Sequence, residues 1–584
     1  QNQMKNLKFK VISKYLRPYK KEFLFGALAL LIVNILSVVI PLEVKNIIDQ
    51  LQNGFSSNFV ISKSLLLILL ATSMGLIRLF SRQIVFGIGR KVEVNLRQKL
   101  FDHLLIQDPE WIQKRGSGDI ISRATSDVEN IRRLLGFTVL SLCNIALAYS
   151  FTIPSMFSIN KTLTISALMI FPVILGIVSL FGGRMVKQRK NQQESLSKLS
   201  DLIQEDLSGI SAIKIYAQEN AEKKEFNIHN EAYRNSAIKL ARTASTLFPL
   251  LQGISSISLL ILLSLGTFQI ENGYISIGGL VALILYVERL VFPTALLGFT
   301  LNTFQLGQVS LDRVEEILQN NPNIVDSANT EFLKKRIKGL LEAKDLTIKY
   351  PGSKFNSLNN LNFKIYPGEL IAIVGPVGCG KTTLAKSLGR TIEIPDGQLF
   401  LDEIDVKKIK LEELRKNISI VPQEAFLFTS TISENLRFGE PKASKSLVKE
   451  SATKAGIIDD INNFPKKFKT VVGERGITLS GGQRQRTALG RALLVNSPVV
   501  ILDDALASVD NKTAARIIDE LRDKSENTIL MISHQLSVAA TCDRVLVMDK
   551  GKIVQEGNHK DLVKEIGLYK KLWEREIANN IVKS

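Results

Sequence analysis

Long stretches without charged side chains are the feature that most constrains this chain. Four of them are apolar and contain no Asp, Glu, Lys or Arg: residues 23–42, 134–160, 162–183 and 243–270. Each has about 20 residues or more, which is the length a helix needs to cross a hydrocarbon core of about 30 Å. Two weaker apolar runs, 64–77 and 272–287, end at Arg78 and Glu288 but continue as helical patterns.

We therefore predict six membrane-spanning helices, at about 23–43, 64–88, 134–159, 162–184, 243–270 and 274–300. The first apolar stretch is too long and too internal for a cleaved signal peptide. The charged segments 90–133 and 184–242 keep helical patterns, and we read them as helices continuing into the cytoplasm, with separate soluble loops as the alternative. The turns near 107–118 and 216–226 would then contact a motor domain.

The distribution of positive charge predicts the orientation. Before the first span the chain carries seven basic residues and no acid until Glu22: Lys5, Lys8, Lys10, Lys14, Arg17, Lys20 and Lys21. Segments 90–133 and 184–242 carry nine and eleven Lys or Arg, whereas the three outer loops offer only Lys45, Lys63 and Lys161. The positive-inside rule places the N-terminus and the C-terminal half in the cytoplasm. We predict an integral membrane protein, of the bacterial inner membrane.

The net charge does not indicate a nucleic-acid-binding protein. Of the formal charge of +19, residues 1–330 contribute +10 (34 basic minus 24 acidic residues), and the remainder contributes +9. In the first half this charge lies almost wholly on the predicted cytoplasmic side, so it records topology. A content of 45% hydrophobic residues excludes a disordered chain, and three dispersed cysteines exclude a disulfide scaffold.

The composition changes around residues 319–340, and alternating strand and helix patterns begin at Leu341. Such alternation predicts an α/β domain with a parallel core. We expect a multi-domain chain: an all-α six-helix transmembrane domain at 1–325, a linker at 326–340, an α/β nucleotide-binding domain at 341–575 and a C-terminal tail at 576–584.

A phosphate-binding loop follows the buried strand pattern of residues 371–374. The segment matches GxxxxGK[ST] and reads Gly375-Pro376-Val377-Gly378-Cys379-Gly380-Lys381-Thr382-Thr383. Glycines let backbone N–H groups wrap phosphates, and the following helix start adds its positive dipole. Lys381 would reach the β- and γ-phosphates of ATP, and the Thr382 hydroxyl would bind Mg²⁺.

A second buried strand pattern, at 499–502, ends in two carboxylates. Asp503 suits Mg²⁺, directly or through water, and Asp504 stands where a general base for the attacking water is expected. Either residue alone could be a simple strand-end cap, but the phosphate loop favours the catalytic interpretation.

The class of ATPase is indicated by a third motif, Leu479-Ser480-Gly481-Gly482-Gln483-Arg484-Gln485-Arg486. Ser480 and the N–H groups of Gly481 and Gly482 form a second anion site at a helix start. Such a site makes sense if it faces the γ-phosphate held by another subunit. The sequence resembles the ABC transporter family, specifically exporter half-transporters with a six-helix domain fused to one nucleotide-binding domain, and the resemblance covers essentially the whole chain.

The resemblance implies roles for further residues. Tyr350 matches the aromatic residue that stacks on adenine, and Gln423 the residue that senses Mg²⁺ and contacts the membrane domain. His534 matches the switch histidine that contacts the γ-phosphate. Residues 480–483 match the signature that binds nucleotide across a dimer, 508–510 the loop crossing that interface, and 472–476 a loop specific to exporters.

One position departs from the family pattern. Efficient exporters usually carry Glu where this chain has Asp504, and a shorter base predicts slow hydrolysis at this chain's own phosphate loop. Family members with Asp here often form heterodimers with one strong and one weak site. The intact signature at Ser480 fits a heterodimer, in which it would complete the efficient site of a partner, whereas the intact His534 argues against one, because some weak-site subunits lose this histidine. We favour a heterodimer and keep a slow homodimeric exporter, and an ATP-gated regulatory or channel-like subunit, as alternatives.

The transported molecule is less constrained. Aromatic residues in the spans favour a small hydrophobic or amphipathic substrate: Phe248, Phe268, Phe292 and Phe299. Charges such as Arg78, Glu288 and Arg289 are costly in lipid and are expected to face the interior. Glu288 and Arg289 would form a stabilising ion pair or, alternatively, contact the substrate.

Overall fold

The computed structural model describes residues 12–52, 54, 56–333, 335–524 and 527–583. Lys5, Lys8 and Lys10 of the basic N-terminus, and the side chain of Phe248, lie outside what is described. The chain forms two compact units. One contains the residues up to Leu105 together with Gly116–Asn320, and the other contains Ile106–Arg115 together with the residues from Asn321.

The first unit is helical, and the prediction of six spans is confirmed for the described residues. Six helical segments are long and apolar enough to cross a membrane: Ile12–Leu51, Ser57–Leu105, Ser117–Ile159, Lys161–Ser208, Glu219–Glu271 and Ile277–Gln319. At 1.5 Å per residue, helices of 49 and 53 residues reach about 70–80 Å, more than twice the hydrocarbon thickness. Helical extensions beyond the spans are therefore present.

The α-helices up to residue 320 are α1 (Lys20–Leu51), α2 (Ser57–Leu105), α3 (Pro109–Arg115), α4 (Ser117–Ser122), α5 (Val128–Arg133), α6 (Val139–Ile159), α7 (Lys161–Leu168), α8 (Phe171–Ser208), α9 (Ile210–Ile215), α10 (Glu219–Glu271) and α11 (Ile277–Gln319). Two π-helical turns, Arg123–Asp127 and Leu134–Thr138, join α4, α5 and α6. A 3₁₀ turn, Arg17–Tyr19, precedes α1.

Local sequence explains why the fourth and sixth predicted spans differ from the helices of the structure. The fourth is broken at residues 169–170 because Pro172, at the start of α8, has no backbone N–H to continue the helix. The sixth begins at Ile277 rather than 274, because the Ser276 hydroxyl accepts a hydrogen bond from the Gly279 N–H (3.0 Å) and caps α11. The core of this unit includes Phe171, Ile174 and Tyr286.

The second unit is α/β, as predicted. Its strands are β1 (Leu341–Ile348), β2 (Leu358–Ile365), β3 (Leu370–Val374), β4 (Leu399–Leu401), β5 (Ile404–Asp405), β6 (Ile418–Val421), β7 (Val499–Asp503), β8 (Thr528–Ile532), β9 (Arg544–Asp549) and β10 (Lys552–Gly557). Its helices beyond α3 are α12 (Lys381–Leu388), α13 (Leu411–Asn417), α14 (Ile432–Arg437), α15 (Lys445–Lys454), α16 (Ile458–Asn463), α17 (Gly481–Val495), α18 (Asn511–Lys524), α19 (Leu536–Ala539), α20 (His559–Leu562) and α21 (Leu568–Lys583). Short 3₁₀ turns lie at Val406–Lys408, Lys467–Lys469 and Glu474–Gly476.

Two sheets organise this unit. Strands β10-β9-β3-β8-β7-β6 form the larger sheet, in which β9, β3, β8, β7 and β6 run parallel and β10 is antiparallel to β9. The smaller sheet, β2-β1-β4-β5, is antiparallel. Strands β3, β7 and β8 are buried along their whole length, as expected when helices cover both faces of a parallel sheet.

Two features of this unit were not expected from the sequence. Residues 106–115, including α3, pack with the second unit although they lie within the predicted 1–325 domain. The reason is visible at the buried Asp108, whose carboxylate accepts hydrogen bonds from the N–H groups of Asn323 and Ile324 (2.9 and 3.1 Å). In addition, α21 runs through the predicted boundary between 575 and 576.

Candidate functional site

The carboxyl ends of the parallel strands lead to several of the predicted ATP-binding residues at one edge of the larger sheet. Strand β3 leads into the phosphate loop, β7 ends at Asp503, and β8 is followed by His534. Gln423 lies two residues after the end of β6. This edge is where ligands bind in open α/β sheets. Residues widely separated in sequence are thereby brought together.

The phosphate loop is a tight turn that depends on glycine. Gly375 (φ 154°) and Gly380 (φ 108°) occupy backbone regions that L side chains rarely adopt. A Cβ at Gly375 would lie 2.1 Å from the Met548 carbonyl oxygen, and one at Gly380 would lie 2.5 Å from that of Ser357. A Cβ at Gly378 (φ 80°) would meet nothing within 4 Å, so the space beside this residue is open.

Lys381 begins α12 directly after this loop and is 5% exposed. Its ammonium donates hydrogen bonds to the carbonyl oxygens of Gly375 (2.8 Å) and Pro376 (2.9 Å). The remaining loop residues differ in exposure: Val377 is 88% exposed, whereas Cys379 is buried with its Sγ 3.7 Å from Lys381 Nζ. An ammonium held against a glycine loop, beside a helix start, is an arrangement that suits the binding of a triphosphate.

The predicted magnesium ligands Thr382 and Asp503 meet. The Thr382 hydroxyl lies 3.5 Å from Asp503 Oδ1, and Asp503 is 5% exposed. Burial raises the pKa of Asp503, the hydrogen bond from Thr382 opposes the shift, and the negative charge of Asp504 adds to it. The positive charges of Lys386 and Lys381 also oppose the shift. A hydroxyl beside a buried carboxylate is a donor set that suits Mg²⁺.

Asp504 is held by its backbone in a left-handed conformation (φ 51°). Its N–H donates to the Ile532 carbonyl (2.8 Å), and its own carbonyl accepts from the Ala507 N–H (3.2 Å). These bonds fix the Cα position, so the length of the side chain decides how far the carboxylate reaches. The side chain is half-buried.

His534 and Gln423 are both exposed at this edge. The turn that carries His534 is fixed on either side, because the Ser533 N–H donates to the Ile373 carbonyl (3.2 Å) and the Gln535 N–H donates to Ser533 Oγ (2.9 Å). Tyr350, beyond β1, packs against the core, and its hydroxyl lies 3.4 Å from Thr383 Oγ1 on α12. The predicted adenine-stacking residue therefore lies beside the phosphate-loop helix.

The signature residues lie at the start of α17. The Ser480 hydroxyl accepts from the Gln483 N–H (3.2 Å), and Gln483 Oε1 accepts from the Ser480 N–H (3.0 Å). This reciprocal capping box fixes the helix start and aims the N–H groups of Gly481 and Gly482 outward. The arrangement is a second anion-binding element, separate from the phosphate loop.

Sequence reasoning missed two residues that support the signature. Gln485, which is buried, donates to the Asp504 carbonyl (3.5 Å) and accepts from the Ser508 N–H (2.9 Å), so it joins the signature helix to both neighbouring loops. Asp460 accepts from Gln483 Nε2 (2.9 Å) and pairs with Arg486 (2.8 Å). Gln485 and Arg486 lie within the 479–486 motif, but no sequence signal marked Asp460.

The two signature glycines lie at different distances from Ser508, so alanine is expected to have different effects at Gly481 and Gly482. A Cβ at Gly482 would lie 2.6 Å from the Ser508 carbonyl oxygen, whereas one at Gly481 would lie in ordinary contact, 3.6 Å from the Ser508 side chain. Gly482→Ala is therefore expected to destabilise the protein by about 1–3 kcal/mol, as overpacking does. Thermal melting of the detergent-solubilised protein checks this, with Gly481→Ala as the matched control. Equal melting temperatures for the two variants would contradict the packing described.

Comparison with known proteins covers both units. Residues 23–294 match the family described as ABC transporter transmembrane region, and residues 358–507 match the family described as ABC transporter. The Multidrug resistance-like ATP-binding protein MdlA of Buchnera aphidicola subsp. Baizongia pistaciae is 33% identical over 96% of this chain and 97% of its own length. An ATP-dependent lipid A-core flippase of Syntrophus aciditrophicus is 30% identical over 98% of this chain and 95% of its own.

A solved structure agrees with the fold. It is described as a bacterial Atm1-family ABC exporter with ATP bound, and it matches with a TM-score of 0.77 at 24% identity. The match covers 96% of this chain and 98% of that chain.

Proposed function

Because this chain belongs to the ABC transporter family and is an ATPase coupled to transport, we propose that it is one subunit of a dimeric exporter with two composite ATP sites. Its substrate is a hydrophobic or amphipathic molecule, exported or flipped across the membrane. Relatives named as multidrug resistance proteins and lipid A-core flippases support this substrate class. The observation that carries the proposal is one polypeptide with six apolar helices and a phosphate loop beside paired carboxylates.

The residues at the carboxyl edge of the larger sheet have different roles in ATP hydrolysis. Lys381 and the N–H groups of residues 375–383 bind the phosphates, and Tyr350 stacks on adenine. Thr382, Asp503 and Gln423 hold Mg²⁺, which supplies charge neutralisation during phosphoryl transfer. Asp504 takes the proton of the attacking water, and His534 contacts the γ-phosphate.

The second anion-binding element explains why a dimer is needed. Ser480, Gly481, Gly482 and Gln483 complete the ATP site of a partner subunit rather than their own. Binding of ATP draws the two nucleotide-binding domains together and turns the substrate cavity outward, and hydrolysis resets it. This is alternating access, with the N-terminus and the nucleotide-binding domain in the cytoplasm of a bacterium and the spans in its inner membrane.

Asp504 favours a heterodimer, in which this chain's own phosphate loop forms the weak site and its signature completes the strong one. The same residue supports two alternatives. One is a homodimeric exporter that hydrolyses ATP slowly, and the other is a subunit whose ATP binding gates a channel without pumping.

Transport measurements in inside-out membrane vesicles test the proposal. The vesicles contain this protein together with the partner half-transporter that carries Glu at the position of Asp504. We expect them to accumulate the lipophilic dye Hoechst 33342 only when ATP is present. Lys381→Met in this chain is the control variant. Movement of the dye only down its own concentration gradient would favour the channel-like subunit. Accumulation of the dye without ATP would overturn the exporter assignment.

A further inference from the structure

The C-terminal helix α21 contacts the segment that follows the predicted switch histidine. Midway along α21, the Glu576 carboxylate accepts hydrogen bonds from the N–H groups of Leu536 (2.7 Å) and Ser537 (3.1 Å). These two residues are the first of α19, which begins two residues after His534. A carboxylate about 40 residues further along the chain is therefore tied to the helix that directly follows the turn of His534.

The two N–H groups depend on this carboxylate for an acceptor. The first N–H groups of a helix have no partner within the helix itself. Helix α19 has only four residues, and within the described part of the chain its N-cap residue, Gln535, provides no side-chain acceptor. Glu576 accepts from both N–H groups, and its negative charge suits the positive end of a helix. The placement of α19 therefore depends on α21.

Helix α21 is itself anchored. The Tyr569 N–H donates to Gln555 Oε1 on β10 (3.0 Å), and the Tyr569 hydroxyl lies 2.8 Å from His559 Nδ1. Tyr569 is fully buried, and Trp573 packs against the core of the second unit. Glu576 follows Trp573 by three residues, so it lies about one helical turn beyond this anchored part. The carboxylate is thus carried by a fixed element rather than by a free chain end.

The turn between β8 and α19 is held at both ends and exposed in the middle. At the strand end, the Ser533 N–H donates to the Ile373 carbonyl (3.2 Å). At the helix end, Leu536 is buried and donates to Glu576. His534 lies between these two contacts and is exposed. Because side chains at functional sites are positioned by their supporting contacts, both ends determine where the imidazole lies.

We propose that Glu576 is a positioning residue for the switch histidine: through its hydrogen bonds to α19 it holds His534 where it contacts the γ-phosphate of ATP. The inference rests on the proposed ATPase function and adds a residue to that site. A carboxylate repels a phosphate, so the effect of Glu576 on the nucleotide passes through His534. Glu576 therefore strengthens the binding of nucleotides that have a γ-phosphate and does not strengthen the binding of ADP.

Competition of the non-hydrolysable analogue AMPPNP, or of ADP, with the fluorescent nucleotide TNP-ATP tests this role on the purified protein in lipid nanodiscs with Mg²⁺. Glu576→Leu removes both acceptors and is expected to lower the AMPPNP affinity about fivefold, part of the effect of losing one hydrogen bond to a charged group. The ADP affinity is expected to stay unchanged. Glu576→Gln keeps an acceptor oxygen and is expected to retain most of the AMPPNP affinity. Glu574→Leu, the same change at an exposed position of α21, is the matched control.

A double-mutant cycle separates positioning from a general effect on the structure. His534→Ala alone is expected to lower the AMPPNP affinity about tenfold, the effect of losing its contact with the γ-phosphate. Adding Glu576→Leu to His534→Ala is expected to cause no further loss, because the residue that Glu576 positions is absent. Losses that multiply would show that Glu576 acts independently of His534 and would overturn the proposal.

Amide hydrogen exchange on the unsubstituted protein tests the contact even if Glu576→Leu does not fold. The N–H groups of Leu536 and Ser537 are expected to be protected, and exchange at the rate of an unstructured peptide would overturn the proposal. Equal losses of AMPPNP and ADP affinity in Glu576→Leu, or a similar loss in Glu574→Leu, would also overturn it. Unchanged AMPPNP affinity in Glu576→Leu would reject the role of Glu576 and leave the ATP site standing, whereas an unsubstituted protein that binds no nucleotide would reject both.

Discussion

Asp504→Glu is expected to raise the ATP turnover of this protein at least about tenfold, because a well-placed general base contributes about 10²–10⁴ in rate. The backbone of Asp504 is tied to the carbonyl of Ile532 and to the N–H of Ala507. It cannot move toward the phosphates to compensate for a short side chain. The additional methylene of Glu extends the carboxylate by about one bond length toward the attacking water.

Steady-state ATPase measurements on the purified chain provide the comparison. Asp504→Asn keeps the size of the side chain and is expected to lower turnover further. Asp503→Glu is the matched control, since the same lengthening at the buried neighbour disturbs the contact with Thr382 and is expected to lower turnover. A fast unsubstituted protein that Asp504→Glu leaves unchanged would remove the argument for a weak site.

Lys381→Met is expected to weaken ATP binding about a hundredfold, the effect of losing one or two hydrogen bonds between charged groups. Met retains most of the apolar length of Lys, so the buried side chain still fills its place. The ammonium that faces the Gly375 and Pro376 carbonyls is removed.

Fluorescence titration with a nucleotide analogue measures this affinity. Lys386→Met, an exposed position on the same helix, is the control and is expected to change affinity no more than about threefold, since exposed charges are screened. Similar losses in both variants would show that the net charge of α12, and not the position of Lys381, governs binding.

The parts of the fold that could be predicted are those that depend on contiguous residues. Uncharged runs such as 243–270 fix a span by length alone, and the glycines of 375–380 fix a turn that few other sequences can adopt. The roles of Lys381 and Asp503 were predicted from buried strand patterns that end at these motifs, and that of His534 from the family resemblance. The strand order of the structure brings the three to one edge of the sheet, where parallel strands place their carboxyl ends.

Features that depend on contacts between distant segments were not predictable. The partner of Arg289 is Asn34, more than 250 residues earlier, so adjacency to Glu288 misled the sequence interpretation. Asp460 reaches the signature from α16, and no local pattern distinguishes it from other surface carboxylates. Side-chain direction around a helix decided both cases.

The position of α3 has a consequence for how the chain can be divided. The second unit draws on two separate sequence segments, so the polypeptide enters it at residue 106, leaves it after residue 115 and enters it again at residue 321. Cleavage near residue 320 would leave residues 106–115 of the second unit on the fragment that contains the first unit, without a covalent bond to the residues from 321 onward. A fragment that begins at residue 321 would lack the Asp108 carboxylate that accepts hydrogen bonds from the N–H groups of Asn323 and Ile324. An isolated ATPase unit that keeps these contacts therefore needs residues 106–115, either supplied as a peptide or fused ahead of residue 321.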